Sequence, residues 1–313
     1  MLLSEKTKGY IVGSVAAATY GMNPLFALPL YADGMDANSV LLFRYLLAIP
    51  LMAVLLRMRG HSLRLDGRRT AALAVMGLLV AVSSLTLFLA YNYMDSGVAS
   101  TLLFVYPVMV ALIMAFRYGE RLPAVTVACI GVTLLGIFLL NKTAAGTSLS
   151  PVGIALVMLS SLSYALYIVI INRPYFREIP TLKVIFYVLS FGLLVFLTGA
   201  VAEGGVAVPV HWYMWGNLLA LAVLPTAVSF FCTTLAIQYI GPTPTAVLGA
   251  LEPVVAVFVS VLVFSDVLTT RQVVGIVLIL VAVTVIIAGG KITQPLLRFR
   301  KLFPRVKRGR KTS

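Results

Sequence analysis

Glu252 is the residue with the clearest chemical potential, because it is a carboxylate inside a long apolar stretch. It lies near the middle of residues 244–264 and directly precedes Pro253. Apolar surroundings disfavour the charged form of a carboxylate, and charges inside hydrocarbon are costly enough to mark candidate working sites. Such a group could take up and release a proton, or contact an amine. The structural alternative is a carboxyl group that is protonated or hydrogen-bonded between helices.

Arg44 is the second charged residue inside an apolar segment, a few residues from the start of residues 38–57. Its guanidinium could bind a carboxylate or a phosphate of a ligand. Because it lies close to a loop, it could instead extend towards the headgroups at a membrane surface. We favour this second interpretation. The sequence does not say whether Arg44 pairs with Glu252.

Amphipathic and polar side chains near the ends and interiors of the apolar segments are candidates for lining a cavity, with packing or membrane-interface positions as the alternative. These are Tyr20, Asn23, Tyr91, Tyr106, Tyr164 and Tyr167.

Prolines inside the predicted helices remove a backbone hydrogen bond and free a carbonyl group. In a membrane such positions form kinks, hinges or polar backbone beside a cavity. We predict hinges at Pro24, Pro107, Pro225 and Pro253.

The composition predicts an all-α integral membrane protein. The chain of 313 residues is 61% hydrophobic and 11% charged, with a mean hydropathy of +1.03. A soluble domain cannot bury that much apolar surface, and a helical crossing needs about 20 apolar residues. We predict ten transmembrane helices, at residues 9–31, 38–57, 71–91, 97–117, 124–141, 151–172, 182–202, 212–237, 244–264 and 273–290.

The sequence also repeats itself at a spacing of about 145 residues. Seven residues recur 146 positions later, from Leu89 and Leu235 to Leu122 and Leu268, and Tyr20 recurs as Tyr164 at a spacing of 144. Five segments per copy would insert the second copy upside down, which gives two inverted five-helix repeats, as in many transporters. The predicted units are residues 1–141 and 151–290, followed by a basic tail at 291–313. At the position before the repeated proline, Tyr106 in the first copy corresponds to Glu252 in the second.

Basic residues predict the orientation. If both termini are cytoplasmic, twenty-one of the 24 Lys and Arg residues lie on the cytoplasmic side, as the positive-inside rule requires. The basic tail could suggest a nucleic-acid ligand, but beside the last helix it is better interpreted as an anchor at anionic headgroups. We therefore expect no nucleic-acid partner.

Motifs for catalysis are not found. The sequence lacks a G-x-x-x-x-G-K-[ST] phosphate loop and an H-E-x-x-H zinc motif, and no Ser-His-Asp arrangement can be proposed. We expect no catalytic residues, no metal and no cofactor. Cys129 and Cys232 fall in apolar segments and are predicted to be buried thiols.

Several short motifs together resemble the drug/metabolite transporter superfamily, in particular its EamA-type members. Tyr20-Gly21-Met22-Asn23 is similar to the W-G-x-N of the first helix in that family, with tyrosine in place of tryptophan. The others that match, in order, are Phe43-Arg44-Tyr45, Gly119-Glu120-Arg121-Leu122, Ser163-Tyr164-Ala165-Leu166-Tyr167, Leu251-Glu252-Pro253-Val254 and Ser265-Asp266-Val267-Leu268. The likeness spans residues 9–290.

The resemblance implies a ten-helix carrier of the inner cell membrane with a central cavity, which moves small organic solutes. We expect a secondary transporter of metabolites or drugs, and we favour export over import. Protons are a candidate coupling ion, and the protein is expected to be a monomer or a homodimer. The alternatives are a flippase for lipids or lipid-linked sugars, and a receptor or assembly protein that transports nothing.

Overall fold

The computed structural model describes residues 4–90, 92–93, 99, 102–119, 122–140, 150–264 and 269–285. In these ranges the chain is helical and contains no strand. The helices are α1 Glu5–Gly21, α2 Asn23–Ala32, α3 Ala37–Met58, α4 Gly67–Ala90, α5 Tyr106–Tyr118, α6 Ala124–Leu140, α7 Pro151–Ile171, α8 Pro174–Arg177, α9 Thr181–Ala202, α10 Trp212–Leu221, a π-helical segment Ala222–Val228, α11 Ser229–Ile240, α12 Pro242–Leu248, α13 Leu251–Phe264 and α14 Thr270–Val285.

Six helical stretches in the described ranges are long and apolar enough to cross a membrane: Glu5–Ala32, Ala37–Met58, Gly67–Ala90, Pro151–Ile171, Thr181–Ala202 and Trp212–Ile240. Helices α5, α6 and α14 are apolar but shorter. Since helices satisfy their backbone hydrogen bonds internally, they can lie in hydrocarbon where open strands cannot. The predicted helical class is confirmed, and the protein is a multi-pass membrane protein.

Local sequence signals explain several helix ends. The side chain of Asp36 accepts a hydrogen bond of 2.8 Å from the backbone N–H of Ser39 at the start of α3, and Ser4 caps α1 in the same way through Thr7. These side chains satisfy donors that have no partner within the helix. Gly119 ends α5 with φ at 65°, a left-handed conformation that glycine adopts without a steric penalty.

Interruptions divide helices that the hydropathy pattern treated as continuous. The predicted first segment, 9–31, agrees with the stretch Glu5–Ala32, but it is interrupted, because α1 ends at Gly21 and α2 begins at Asn23, with Pro24 in its first turn. The ninth predicted helix is likewise split, because α12 ends at Leu248 and α13 begins at Leu251. Hydropathy could not reveal these breaks, since a turn inside a protein can be as apolar as the helices beside it.

Glycines bring the helices into close contact. A Cβ atom on Gly21 of α1 would lie 2.5 Å from the carbonyl oxygen of Glu252 on α13, and one on Gly13 would lie 2.6 Å from Leu248 on α12. Gly136 of α6 lies in the same way against Gly275 of α14, since a Cβ there would lie 2.8 Å from the carbonyl of Gly275. Small residues thus allow close backbone approach where lipid provides little driving force for association.

Two pairs of helices are also joined by serine hydroxyls. Ser160 of α7 donates a hydrogen bond of 2.7 Å to the carbonyl of Ser83 on α4, and Ser229 of α11 donates one of 3.0 Å to the carbonyl of Ala16 on α1. All three serines are buried. Each bond crosses between helices, so it fixes the relative position of the two elements and satisfies a buried hydroxyl.

Candidate functional site

A cavity lies where α1, α5, α7, α11, α12 and α13 meet. Its lining residues are Gly13, Ala16, Ala17, Tyr20, Tyr106, Tyr164, Ile168, Ser229, Thr233, Thr245, Gly249 and Glu252. Its volume is about 20 Å³, which is room for roughly one water molecule. Pockets for drug-sized ligands measure roughly 300–1,000 Å³, so an organic ligand could enter only after the helices move apart.

Glu252 supplies the carboxylate of this cavity. It is the second residue of α13, directly after the interruption at Gly249 and Ala250, and its backbone N–H donates a 2.9 Å bond to the carbonyl of Gly249. The side chain is half-buried. The carboxylate thus lies beside a helix break whose Gly249 also lines the cavity, and interrupted helices are typical of substrate and ion sites in membranes.

Tyrosine rings form the aromatic part of the wall. The rings of Tyr106 and Tyr164 meet edge to face with their centroids 5.0 Å apart, and Tyr164 stacks on Tyr167 at 6.0 Å. Tyr167 itself is 1% exposed and packs against Phe230, outside the lining. The wall therefore consists of Tyr20, Tyr106 and Tyr164, while Tyr167 supports Tyr164 from behind.

Three hydroxyl groups in the wall donate hydrogen bonds to backbone carbonyls. The hydroxyl of Tyr106 donates to Ala246 at 3.1 Å, that of Thr245 to Gly241 at 2.7 Å and that of Ser229 to Ala16 at 3.0 Å. Each hydroxyl oxygen keeps lone pairs that can accept a further hydrogen bond. These three groups can thus receive hydrogen bonds from a ligand without losing their structural role.

Arg44 does not extend to a membrane surface, so our preferred interpretation of this residue is wrong. It is 2% exposed and donates hydrogen bonds to the Asn23 side chain at 3.1 Å, to the carbonyl of Pro225 at 3.1 Å and to the hydroxyl of Thr226. The residue looked close to a loop in sequence, but neighbouring helices enclose it. Among the described residues the ion pair present is Arg69–Glu178, so Arg44 has no carboxylate partner there.

Arg44 joins two interrupted helices. Asn23 begins α2 directly after the break that ends α1, and Pro225 and Thr226 lie in the π-helical segment. Pro225 lacks an N–H, so it leaves the carbonyl of Leu221 without its normal helical donor, and the hydroxyl of Thr226 donates to that carbonyl at 2.8 Å. The Arg44 guanidinium lies 5.9 Å from the centre of the Tyr20 ring, and Tyr20 lines the cavity, so this ring is close to both the buried charge and the cavity.

Four predicted site residues come together in the cavity: Tyr20, Tyr106, Tyr164 and Glu252. Arg44, Asn23 and Tyr167 lie beside it and not in its lining. Tyr91 lies outside the described residues. Each predicted hinge proline lies at an irregular point: Pro24 and Pro107 begin helices, Pro225 is in the π-helical segment, and Pro253 follows the break before α13. Their flexing remains a prediction.

Sequence reasoning missed the small polar residues of the wall, Ser229, Thr233 and Thr245. Ser229 and Thr233 are four positions apart and so share one face of α11, a spacing that could have indicated them. Cys129 and Cys232 are buried free thiols, as predicted.

The fold and the cavity define a helical membrane protein with a small cavity, lined by both polar and apolar residues, between interrupted helices. Comparison with known proteins is specific: the model of the EamA-like transporter family matches residues 7–142 and again residues 151–288. The chain belongs to the EamA-like transporter family. It is a membrane transporter and not an enzyme, and the resemblance found in the sequence motifs is confirmed.

Curated relatives carry names of the same kind. A protein of Archaeoglobus fulgidus named an uncharacterized transporter is 28% identical over 218 residues, which cover 70% of this chain and 76% of that protein. The pseudopaline exporter CntI of Pseudomonas aeruginosa is 26% identical over 233 residues, covering 74% and 80%. A solved crystal structure superposes with a TM-score of 0.77 at 18% identity, covering 93% of this chain and 99% of that one, which shows a shared fold.

Proposed function

We propose that the protein is a secondary active transporter that exports small organic metabolites or drugs by alternating access between two inverted five-helix repeats. The repeats would comprise residues 1–141 and 151–290 and together ten membrane crossings. The protein would lie in the inner membrane with both termini in the cytoplasm, as the distribution of basic residues favours. Because the sequence has no phosphate-binding loop, we infer that an ion gradient supplies the energy, with protons as the candidate ion.

Support for the repeats comes from two interhelical contacts that correspond under the sequence offsets. Ser83 corresponds to Ser229 at a spacing of 146, and Ala16 to Ser160 at a spacing of 144. Ser160 bonds to Ser83, and Ser229 bonds to Ala16. The contact of α4 with α7 thus has its counterpart in the contact of α11 with α1. An internal twofold relation between the halves accounts for this pairing.

The observation that carries the proposal is the composition of the cavity, which contains two pairs of corresponding residues, each pair with one member from each half. Tyr20 corresponds to Tyr164, and Tyr106 corresponds to Glu252, and all four line the same small space. A chamber near the axis that relates two inverted halves can open to either side as those halves change shape in turn. Its small volume fits a closed state of such a cycle.

The four prolines would serve as the flexing points. Pro107 and Pro253 are equivalent in the two halves, and each follows immediately after a cavity residue, Tyr106 or Glu252. A rotation at either proline would therefore move a wall residue of the chamber.

Glu252 would act as a proton acceptor or a substrate contact. The relative named as an exporter of pseudopaline supports the outward direction.

Reconstitution into sealed proteoliposomes tests this function. Solutes chosen by a thermal-shift screen of amino acids, nucleosides and dyes, in which binding raises the apparent stability, would be loaded with and without a pH gradient. We expect solute flux above that of protein-free vesicles, increased by the gradient. Binding of a solute without any flux would indicate a receptor and overturn the proposal.

Glu252→Gln separates the role of the carboxylate from that of the fold. We expect this variant to keep the wild-type melting temperature and to lose flux or the pH dependence of flux. Glu203→Gln is a matched control, because Glu203 is exposed in the turn after α9 and should transport like the wild type. Unchanged flux and an unchanged pH profile in Glu252→Gln would remove Glu252 from the mechanism.

A further inference from the structure

We infer that the cavity is built for an organic cation, an amine or a quaternary ammonium group carried on a small apolar body. The inference rests on the proposed function and names the substrate class of the same site. It depends on the sign of the groups that face the space and on the direction of their hydrogen bonds.

Three hydroxyl groups of the wall present acceptors to the cavity. The hydroxyls of Tyr106, Thr245 and Ser229 already donate to the carbonyls of Ala246, Gly241 and Ala16. With their protons engaged, their oxygens can offer a ligand lone pairs. A ligand rich in N–H donors would complete these interactions, whereas a carboxylate or phosphate would face oxygen lone pairs.

The charge in the wall also favours a cationic ligand. Glu252 is the one charged residue among the lining residues in the described part of the chain. Arg44, the nearby cation, is not a lining residue and donates hydrogen bonds to Asn23, Pro225 and Thr226. An anionic ligand in the cavity would therefore approach the carboxylate, while the guanidinium is already engaged by these hydrogen bonds.

The aromatic faces suit the same ligand. Tyr20, Tyr106 and Tyr164 contribute three rings to the wall, and ring faces attract cations, most strongly where water is excluded. A carboxylate attracts an ammonium group by its charge. Several aromatic rings in addition contact the weakly hydrated methyl or methylene groups next to the nitrogen. Gly13, Ala16 and Ala17 leave a smooth surface on α1 along which an apolar body could lie once the helices separate.

The experiment compares four probes of similar size on the purified, full-length protein: phenethylamine, its trimethylammonium derivative, 2-phenylethanol and 3-phenylpropionate. Thermal shift and equilibrium binding are measured for each. We expect both cations to bind and stabilise the protein, and the neutral and anionic probes to bind at least about tenfold more weakly, a difference of about 1.4 kcal/mol. Equal or stronger binding of 3-phenylpropionate would overturn the inference.

Variants identify the groups responsible. Glu252→Gln should weaken cation binding by about tenfold or more, while the exposed control Glu203→Gln should bind like the wild type. Tyr164→Phe keeps the ring and should retain cation affinity, whereas Tyr164→Leu should lose several-fold through the absent ring face. If Tyr164→Leu does not fold, the comparison of Glu252→Gln with the wild type still shows whether the carboxylate binds the cation. Cation affinity that is unchanged in Glu252→Gln would contradict the assignment.

The outcomes also separate this inference from the proposed function. Gradient-driven flux of a neutral or anionic solute, together with no cation binding, would refute the cation site and leave the transporter intact. Cation binding that depends on Glu252 without flux of any solute would keep the site and refute transport.

Discussion

The Arg44 guanidinium and the backbone carbonyl of Pro225 lie 3.1 Å apart, and this bond ties α3 to the π-helical segment of the chain. Together with the bond to Asn23 at the start of α2, it makes one buried side chain the link between two interrupted helices. Proline and π-helical irregularities weaken a helix, so an external donor at that point stabilises a shape the helix would not keep alone.

Arg44→Lys tests this link. An ammonium group keeps the charge but cannot reproduce the planar fork of donors, and a hydrogen bond of a charged group contributes roughly 1.5–3 kcal/mol. We expect the free energy of unfolding to fall by about 2 kcal/mol, seen as a lower melting temperature in detergent. Arg57→Lys, at the exposed end of α3, is the control and should melt like the wild type. Equal melting of both variants would show that the three bonds of Arg44 do not stabilise the fold.

Gly21→Ala tests the close approach of α1 to α13 next to the cavity. Its new Cβ would lie 2.5 Å from the Glu252 carbonyl oxygen and 3.1 Å from Val255, so α13 would have to shift, at a cost of roughly 1–3 kcal/mol. We expect reduced melting temperature and reduced flux.

Gly131→Ala is the matched control for that change. Gly131 lies within α6 and has no atom within 4 Å of an added Cβ, so alanine should be neutral or stabilise by up to about 1 kcal/mol through helix propensity. A destabilisation as large as that of Gly21→Ala would mean that the contact with Glu252 is not the cause.

Ser160→Ala and Ser229→Ala test whether the two corresponding contacts are energetically alike. Ser229→Ala removes one interhelical hydrogen bond, whereas Ser160→Ala removes the bond to the Ser83 carbonyl and the 3.2 Å bond to the Ser83 hydroxyl; such bonds average about 0.6 kcal/mol in membrane proteins. We expect two small destabilisations, the larger one in Ser160→Ala, measured as shifts in the unfolding midpoint. Thr284→Val, which removes an exposed bond within α14, should have a smaller effect. A cost found in one serine variant alone would argue against equivalent roles.

Cysteine labelling tests the inverted arrangement. Ser62 and Val208 are separated by 146 positions, and both are exposed in connections between helices. In a background with Cys129 and Cys232 replaced by alanine, Ser62→Cys should react with an impermeant reagent from the cytoplasmic side and Val208→Cys from the opposite side. Labelling of both from one side would exclude two inverted repeats.

The sequence determined the class of the protein, because hydropathy is a local property and a long apolar segment partitions into the bilayer whatever its neighbours are. Segments such as residues 182–202 needed nothing beyond their own composition to be recognised as helices, and they agree closely with α9, Thr181–Ala202. Glu252 was recognised as a charge inside an apolar segment, and the repeat relates it to Tyr106 and relates Tyr20 to Tyr164, since equivalent positions in two copies can be aligned by counting. The family followed from the order of short motifs.

Only the tertiary structure decided what Arg44 binds, where the first and ninth predicted helices break, and which hydroxyls line the cavity. Arg44 and Thr226 are 182 positions apart, and whether a guanidinium meets lipid headgroups or a buried threonine depends on how helices pack around it. The same holds for Ser229, whose hydroxyl donates a hydrogen bond to the carbonyl of Ala16 on another helix. Composition and periodicity describe each helix by itself, whereas these contacts are properties of pairs of helices.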